Sequence, residues 1–191
     1  VDQPVGTGFS KAGSVMDYDT NEEQIAETMA IFMENFLEKF PQLQGKDFFI
    51  TGESYAGHYI PAISHNLAFK NKDNLKASFK GMAIGNGLVD PYHQYPAYDT
   101  FAYENKLIGT VEKDILAGGF KACQAIIETG IWLAAMEFCQ LNVEVILGNP
   151  IKPKFNVYDI REGCDKPPLC YDMSPADNLL AEDDILDVLG V

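Results

Sequence analysis

Asp47-Phe48-Phe49-Ile50-Thr51-Gly52-Glu53-Ser54-Tyr55-Ala56-Gly57-His58 is the stretch that decides how the rest of the chain is read. An apolar run enters it, a serine sits among small residues, and a helix-like segment leaves it. That is the layout of a nucleophile elbow, a sharp strand-to-helix turn that lifts a serine to the top of an α/β sheet. The demand is steric: the serine backbone is strained, and bulky flanking side chains would strike the neighbouring strand and helix. The general pattern asks for Gly two residues after Ser. Ala56 holds that place and Gly57 follows, so the bare pattern is met loosely.

Outward from the elbow the periodicity alternates. Residues 1–9 read as a strand end and a Gly-rich loop. Thr20, with Glu23 three residues on, offers a capping box for a first helix. Ile25, Met29, Phe32, Met33, Phe36, Leu37 and Phe40 form its apolar stripe, a core face by spacing, and Pro41 ends it. Phe48 to Thr51 predicts a short strand buried on both faces. A helix is expected from about Tyr55 to Phe69 and a second buried strand from Phe79 to Ile84. Helix between strands predicts a parallel crossover. After Asp90-Pro91 the alternation stops: Ala97 to Leu107, Val111 to Thr129 and Ile131 to Leu147 read as successive helices. Gly148-Asn149-Pro150 breaks the last of them. Ser174-Pro175, with Ser as cap, opens a short acidic helix.

The longer string Gly52-Glu53-Ser54-Tyr55-Ala56-Gly57-His58-Tyr59-Ile60-Pro61 closely resembles the active-site serine segment of the serine carboxypeptidases. Val1-Asp2-Gln3-Pro4-Val5-Gly6-Thr7-Gly8-Phe9-Ser10, Ile84 to Pro91, Asn156 to Arg161 and Cys170-Tyr171 resemble other segments of that family, in its order. The resemblance implies an α/β-hydrolase fold, here partial, with a helical insertion as a cap over the sheet. The expected organisation is a core segment over 1–92, the insertion over 93–155, and a disulfide-looped cleft segment over 156–191.

The implied activity is removal of C-terminal amino acids from peptides at acid pH, through an acyl-enzyme. Ser54 would be the nucleophile, and the backbone amide of Tyr55 one oxyanion donor. Glu53, next to the nucleophile, would repel an anionic substrate unless it shares a proton with the substrate's own C-terminal carboxylate; otherwise it is a solvated Glu near a helix N-terminus. Tyr158 and Tyr171 match positions near the family's substrate side-chain pockets, although buried tyrosines more often simply fill a core. Asp2, Asn86 and Asp90 read as turn supports. The histidines are His58, His65 and His93. The first two follow Ser54 along the same helix, and His93 follows a Pro-Tyr turn; all three read as structural or exposed. The triad's Asp and His are therefore expected beyond Val191. The chain begins without Met and reads as an internal piece of a longer protein. A carboxypeptidase-like acyltransferase would use the same serine, and a non-catalytic truncated homologue is the reading from outside enzymology.

Composition narrows the field. The chain has 191 residues, 47% hydrophobic and 22% charged, enough for a real core. Its net charge of −14 argues against nucleic-acid partners, and repulsion at that charge eases as carboxylates protonate. No apolar run approaches the ~18 residues that span a bilayer. Cys123, Cys139, Cys164 and Cys170 allow three pairings, or stay reduced as buried thiols. Zinc fails on spacing, and no cofactor or metal is called for. The resemblance implies Cys164–Cys170, and with it Cys123–Cys139. Disulfides place the protein in the secretory pathway, in a lysosome or vacuole or outside the cell. The expected partners are peptide or protein C-termini, and a homodimer is compatible with the sequence.

Overall fold

A computed structural model describes residues 1–71, 76–148, 153–167 and 169–191. The chain divides into two compact units, Val1–Val89 and Asp90–Val191.

In the first unit, α1 (Glu22–Lys39) is followed by β1 (Asp47–Glu53), α2 (Ala56–His65) and β2 (Ser78–Gly85). The strands pair in parallel, Asp47 against Ser78 through Glu53 against Gly85, with one register shift between Phe48 and Phe49. The expected parallel crossover is present. Ile25, Ala26, Ala30 and Leu37 of α1 pack with Ile63 and Leu67, and Phe48 and Ile50 of β1 lie against them. The strand's other face is open: Phe49 is 65% exposed. Burial along β1 thus alternates instead of covering both faces. The reason is that, within this unit, α1 and α2 cover one side of a two-stranded sheet and no other described element of the unit covers the other.

Local details also differ from expectation. The cap of α1 is Asn21, whose side chain accepts from the Gln24 amide, while Gln24 reaches back to the Thr20 amide at 2.7 Å. The cap has shifted by one residue, because Asn serves as well as Thr there, and no reciprocal box closes on it. α2 stops at His65, and Asn66–Lys70 continue as a π turn. Residues 1–9 form turns, with no strand. Asp2 ties them together by accepting from the Phe9 amide at 2.8 Å.

In the second unit, α3 (Pro91–Gln94), read from the sequence as a turn, precedes α4 (Ala97–Glu104), α5 (Thr110–Glu128) and α6 (Trp132–Leu147), which follow one another as the sequence predicts. Ala102, Leu116, Phe120, Cys123, Cys139 and Ile146 form their core. Cys123–Cys139 joins α5 to α6, and Cys164–Cys170 closes a short loop further on. Gly148 ends α6 with a positive φ of 79°. The rest of the expected break, Asn149-Pro150, lies outside the described residues, as does Pro168. The chain ends with α7 (Ser174–Leu180) and α8 (Asp183–Leu189). Met173, not Ser174, is the cap of α7; Ser174 instead donates through its amide at 3.1 Å and its hydroxyl at 2.7 Å to Asp172. No helix among the described residues is long and apolar enough to cross a membrane.

Candidate active site

Ser54 is the first residue past β1 and has a φ of +60°. A non-glycine residue in that left-handed region costs about 1–3 kcal/mol and persists only where its surroundings hold it. Three hydrogen bonds do so. The Ser54 amide donates to the Gly85 carbonyl at 3.1 Å, and the Ser54 carbonyl accepts from the amides of Gly57 at 3.0 Å and Leu88 at 3.0 Å. The turn is thus pinned to the end of β2 and to the segment that leaves it.

Its glycines are sterically required. A Cβ on Gly57 would lie 2.5 Å from the Leu88 carbonyl oxygen, and one on Gly52 would lie 2.8 Å from the Ala56 Cβ. These collisions define the close approach that lets the helix leave the strand so sharply. Glycine is needed immediately after Ala56, which is why the displaced spacing still makes an elbow. Asn86, just past β2, is also left-handed at φ +46°.

Glu53, Ser54 and Tyr55 therefore stand together at the exposed top of the sheet. Tyr55 caps α2, where the first amides lack carbonyls a turn earlier to bond to. Its hydroxyl donates to Glu22 Oε1 at 3.3 Å, and its ring lies 4.9 Å from those of His58 and Tyr59. Partial burial, with the Glu22 carboxylate behind it, raises the Tyr55 phenol above its usual range. The other two histidines have partners of their own. His65 packs on Phe69 at 5.2 Å, and the His93 ring bonds the Asp90 carboxylate at 2.6 Å. Asp90 also caps α3.

In the second unit the structure brings Tyr158 and Tyr171 together, with ring centroids 6.0 Å apart and planes 29° apart. Both rings are substantially exposed, at 65% and 42%, so they do not fill a core. Arg161 clasps Asp159 beside them and holds its carboxyl down to about 2. Two features were not read from the sequence. One is an apolar cavity of about 580 Å³ among Tyr98, Phe101, Leu107, Val143, Ile146 and Phe155; the helical spacing of these residues signals only core. The other is Asn156, buried and accepting from the Tyr158 amide. Its one visible signal was an Asn two residues ahead of Tyr158, a spacing at which Asn side chains bond their own backbone.

A strand, a left-handed serine and a helix start, with a parallel strand alongside, define the core of an α/β-hydrolase fold. The family profile of the serine carboxypeptidases matches residues 1–191, and the chain belongs to that family. It is 39% identical over 198 residues to Serine carboxypeptidase-like 47 of Arabidopsis thaliana, covering 100% of this chain and 39% of that protein. It is 35% identical over 175 residues to Serine carboxypeptidase S10 family member 1 of Dictyostelium discoideum, covering 91% and 42%. Among solved structures it is similar to Kex1(delta)p, a prohormone-processing carboxypeptidase from Saccharomyces cerevisiae. The TM-score is 0.79 at 27% identity, over 98% of this chain and 45% of that one. The chain spans about two fifths of the length of the curated relatives it matches.

Proposed function

We propose that this chain carries the nucleophile of a serine carboxypeptidase that releases C-terminal amino acids from peptides through an acyl-enzyme. The observation that carries the reading is Ser54, held at φ +60° by backbone hydrogen bonds and exposed between a strand end and a helix start. A strained serine backbone maintained by three contacts is costly unless the exposed hydroxyl is used.

The roles follow from position. The Ser54 hydroxyl attacks the scissile carbonyl, and its proton passes to a histidine oriented by an acid. The oxygen of the tetrahedral intermediate accepts from the Tyr55 amide, one of two donors such a site uses. Glu53 reads the free C-terminus: one proton shared between its carboxyl and the substrate's replaces repulsion with a hydrogen bond. Peptide cleavage therefore favours acid pH, where that proton is available. Tyr158 and Tyr171 line the pocket for a substrate side chain. The two disulfides support a life in the secretory pathway, in a lysosome or vacuole or outside the cell.

Labelling by a fluorophosphonate serine probe tests the nucleophile. In the full-length protein, Ser54→Ala abolishes labelling at an unchanged unfolding temperature. Undiminished labelling would place the nucleophile elsewhere.

A further inference from the structure

The segment from Asn156 to Glu162 closes on itself. Asn156 is 1% exposed. Its Oδ1 accepts from the amides of Tyr158 at 2.8 Å and Asp159 at 3.3 Å, and its own amide donates to the Glu162 carbonyl at 2.8 Å. On the outer side, Arg161 donates to Asp159 through Nε at 2.8 Å, Nη2 at 2.6 Å and its amide at 3.1 Å. The Glu162 amide returns to the Asp159 carbonyl at 3.0 Å. Within this closed turn the Tyr158 side chain points outward, where its ring meets that of Tyr171. Tyr171 in turn follows Cys170, which is tied to Cys164. Each ring is exposed while the backbone that carries it is fixed.

We propose that Asn156 is a positioning residue for substrate binding: it touches no substrate, and its carbonyl oxygen fixes the backbone that aims the Tyr158 ring. This rests on the reading of Tyr158 and Tyr171 as the substrate side-chain pocket. Asn suits the task because its short side chain reaches the amide two residues on. An apolar residue of similar size would leave two part-buried amides without this acceptor. The substrate side chain served is apolar, since two ring faces offer area, and Asp159 and Arg161 beside them neutralise each other. The Asp159–Arg161 pair persists in acid: a depressed carboxyl keeps its folded-state interaction down to its own pKa, about 2 here. The turn therefore holds its shape across the mildly acid range.

The test is a double-mutant cycle in the full-length protein, using N-blocked dipeptides that end in Phe or Leu. Asn156→Ala raises KM about five- to tenfold with kcat within about twofold, the pattern of lost binding with intact chemistry. In a Tyr158→Ala background the same change adds less than about twofold, because no ring remains to be aimed. Asn156→Asp, which keeps the acceptor, recovers most of the lost affinity. Equal effects of Asn156→Ala in the two backgrounds overturn the positioning role while leaving the pocket intact. An unchanged KM for Tyr158→Ala alone overturns the pocket reading, and with it this one. Should Asn156→Ala not fold, the same cycle is run with Asn156→Ser, whose hydroxyl makes the same bond more weakly, and is read by the same criteria.

Discussion

At the scale of single residues, the elbow was legible because its constraint is local. Small side chains at Gly52, Ala56 and Gly57 are what a crowded strand-to-helix turn demands, and the structure shows the collisions they avoid. Asn156 was not legible in the same way. An Asn in a loop is ordinary, and its importance comes from burial that only the folded chain creates. Glu53 lies between these cases: its place at the end of β1 was readable, but its role depends on a substrate. Glu53→Gln tests that role. A neutral amide cannot share a proton with a carboxylate as a carboxylic acid can, so the variant loses peptide cleavage at acid pH by about tenfold or more, the scale of a charge-assisted hydrogen bond. Hydrolysis of an ester lacking a free carboxylate changes much less. Parallel losses on both substrates, measured as kcat/KM across pH, would remove Glu53 from C-terminal recognition.

At the scale of elements, the type and order of the longer ones were readable, whereas edges, and the turns at residues 1–9 read as a strand end, were not. The long stripe of α1 announces a helix, because a 3.6-residue period is hard to produce by chance over four turns. The cap of α1 moved from Thr20 to Asn21 because two adjacent residues compete for one job. The reading of β1 as buried on both faces failed for a different reason. A continuous apolar run reports what a strand can bury, whereas burial depends on which elements cover it. Where cover is complete, costs are predictable. Phe120 is 1% exposed in the core of α5 and α6, so Phe120→Ala costs about 3–5 kcal/mol. The check is a lower denaturant midpoint at constant slope; a change below about 1 kcal/mol would show that the site collapses to fill the space.

For the chain as a whole, the fold class was readable from motif order, whereas the open sheet face was not. Among the described residues β1 and β2 pair only with each other, so each presents one unpaired edge, and Phe49 and Met82 stand exposed beside them. Such edges invite association. A net charge of −14 opposes it. Produced by itself, residues 1–191 should therefore remain dispersed near neutral pH at low salt. They should associate as pH falls into the carboxylate range or as salt screens the charge. Light scattering against pH and ionic strength checks this. Association that grows with rising pH would mean that charge is not what keeps the copies apart.

Both cross-links bind nearest neighbours along the chain: Cys123 to Cys139, 16 residues on, and Cys164 to Cys170, 6 residues on. A chain emerging N-terminus first into an oxidising compartment offers its thiols in that order. The first two can meet before the third appears, and the last two are separated by the shortest loop of all. Loop closure is least costly where the loop is short. Of the three conceivable pairings, the native one is therefore also the one that synthesis presents first. Correct oxidation of this region asks for little shuffling by an isomerase, and the order of arrival itself guards against mispairing.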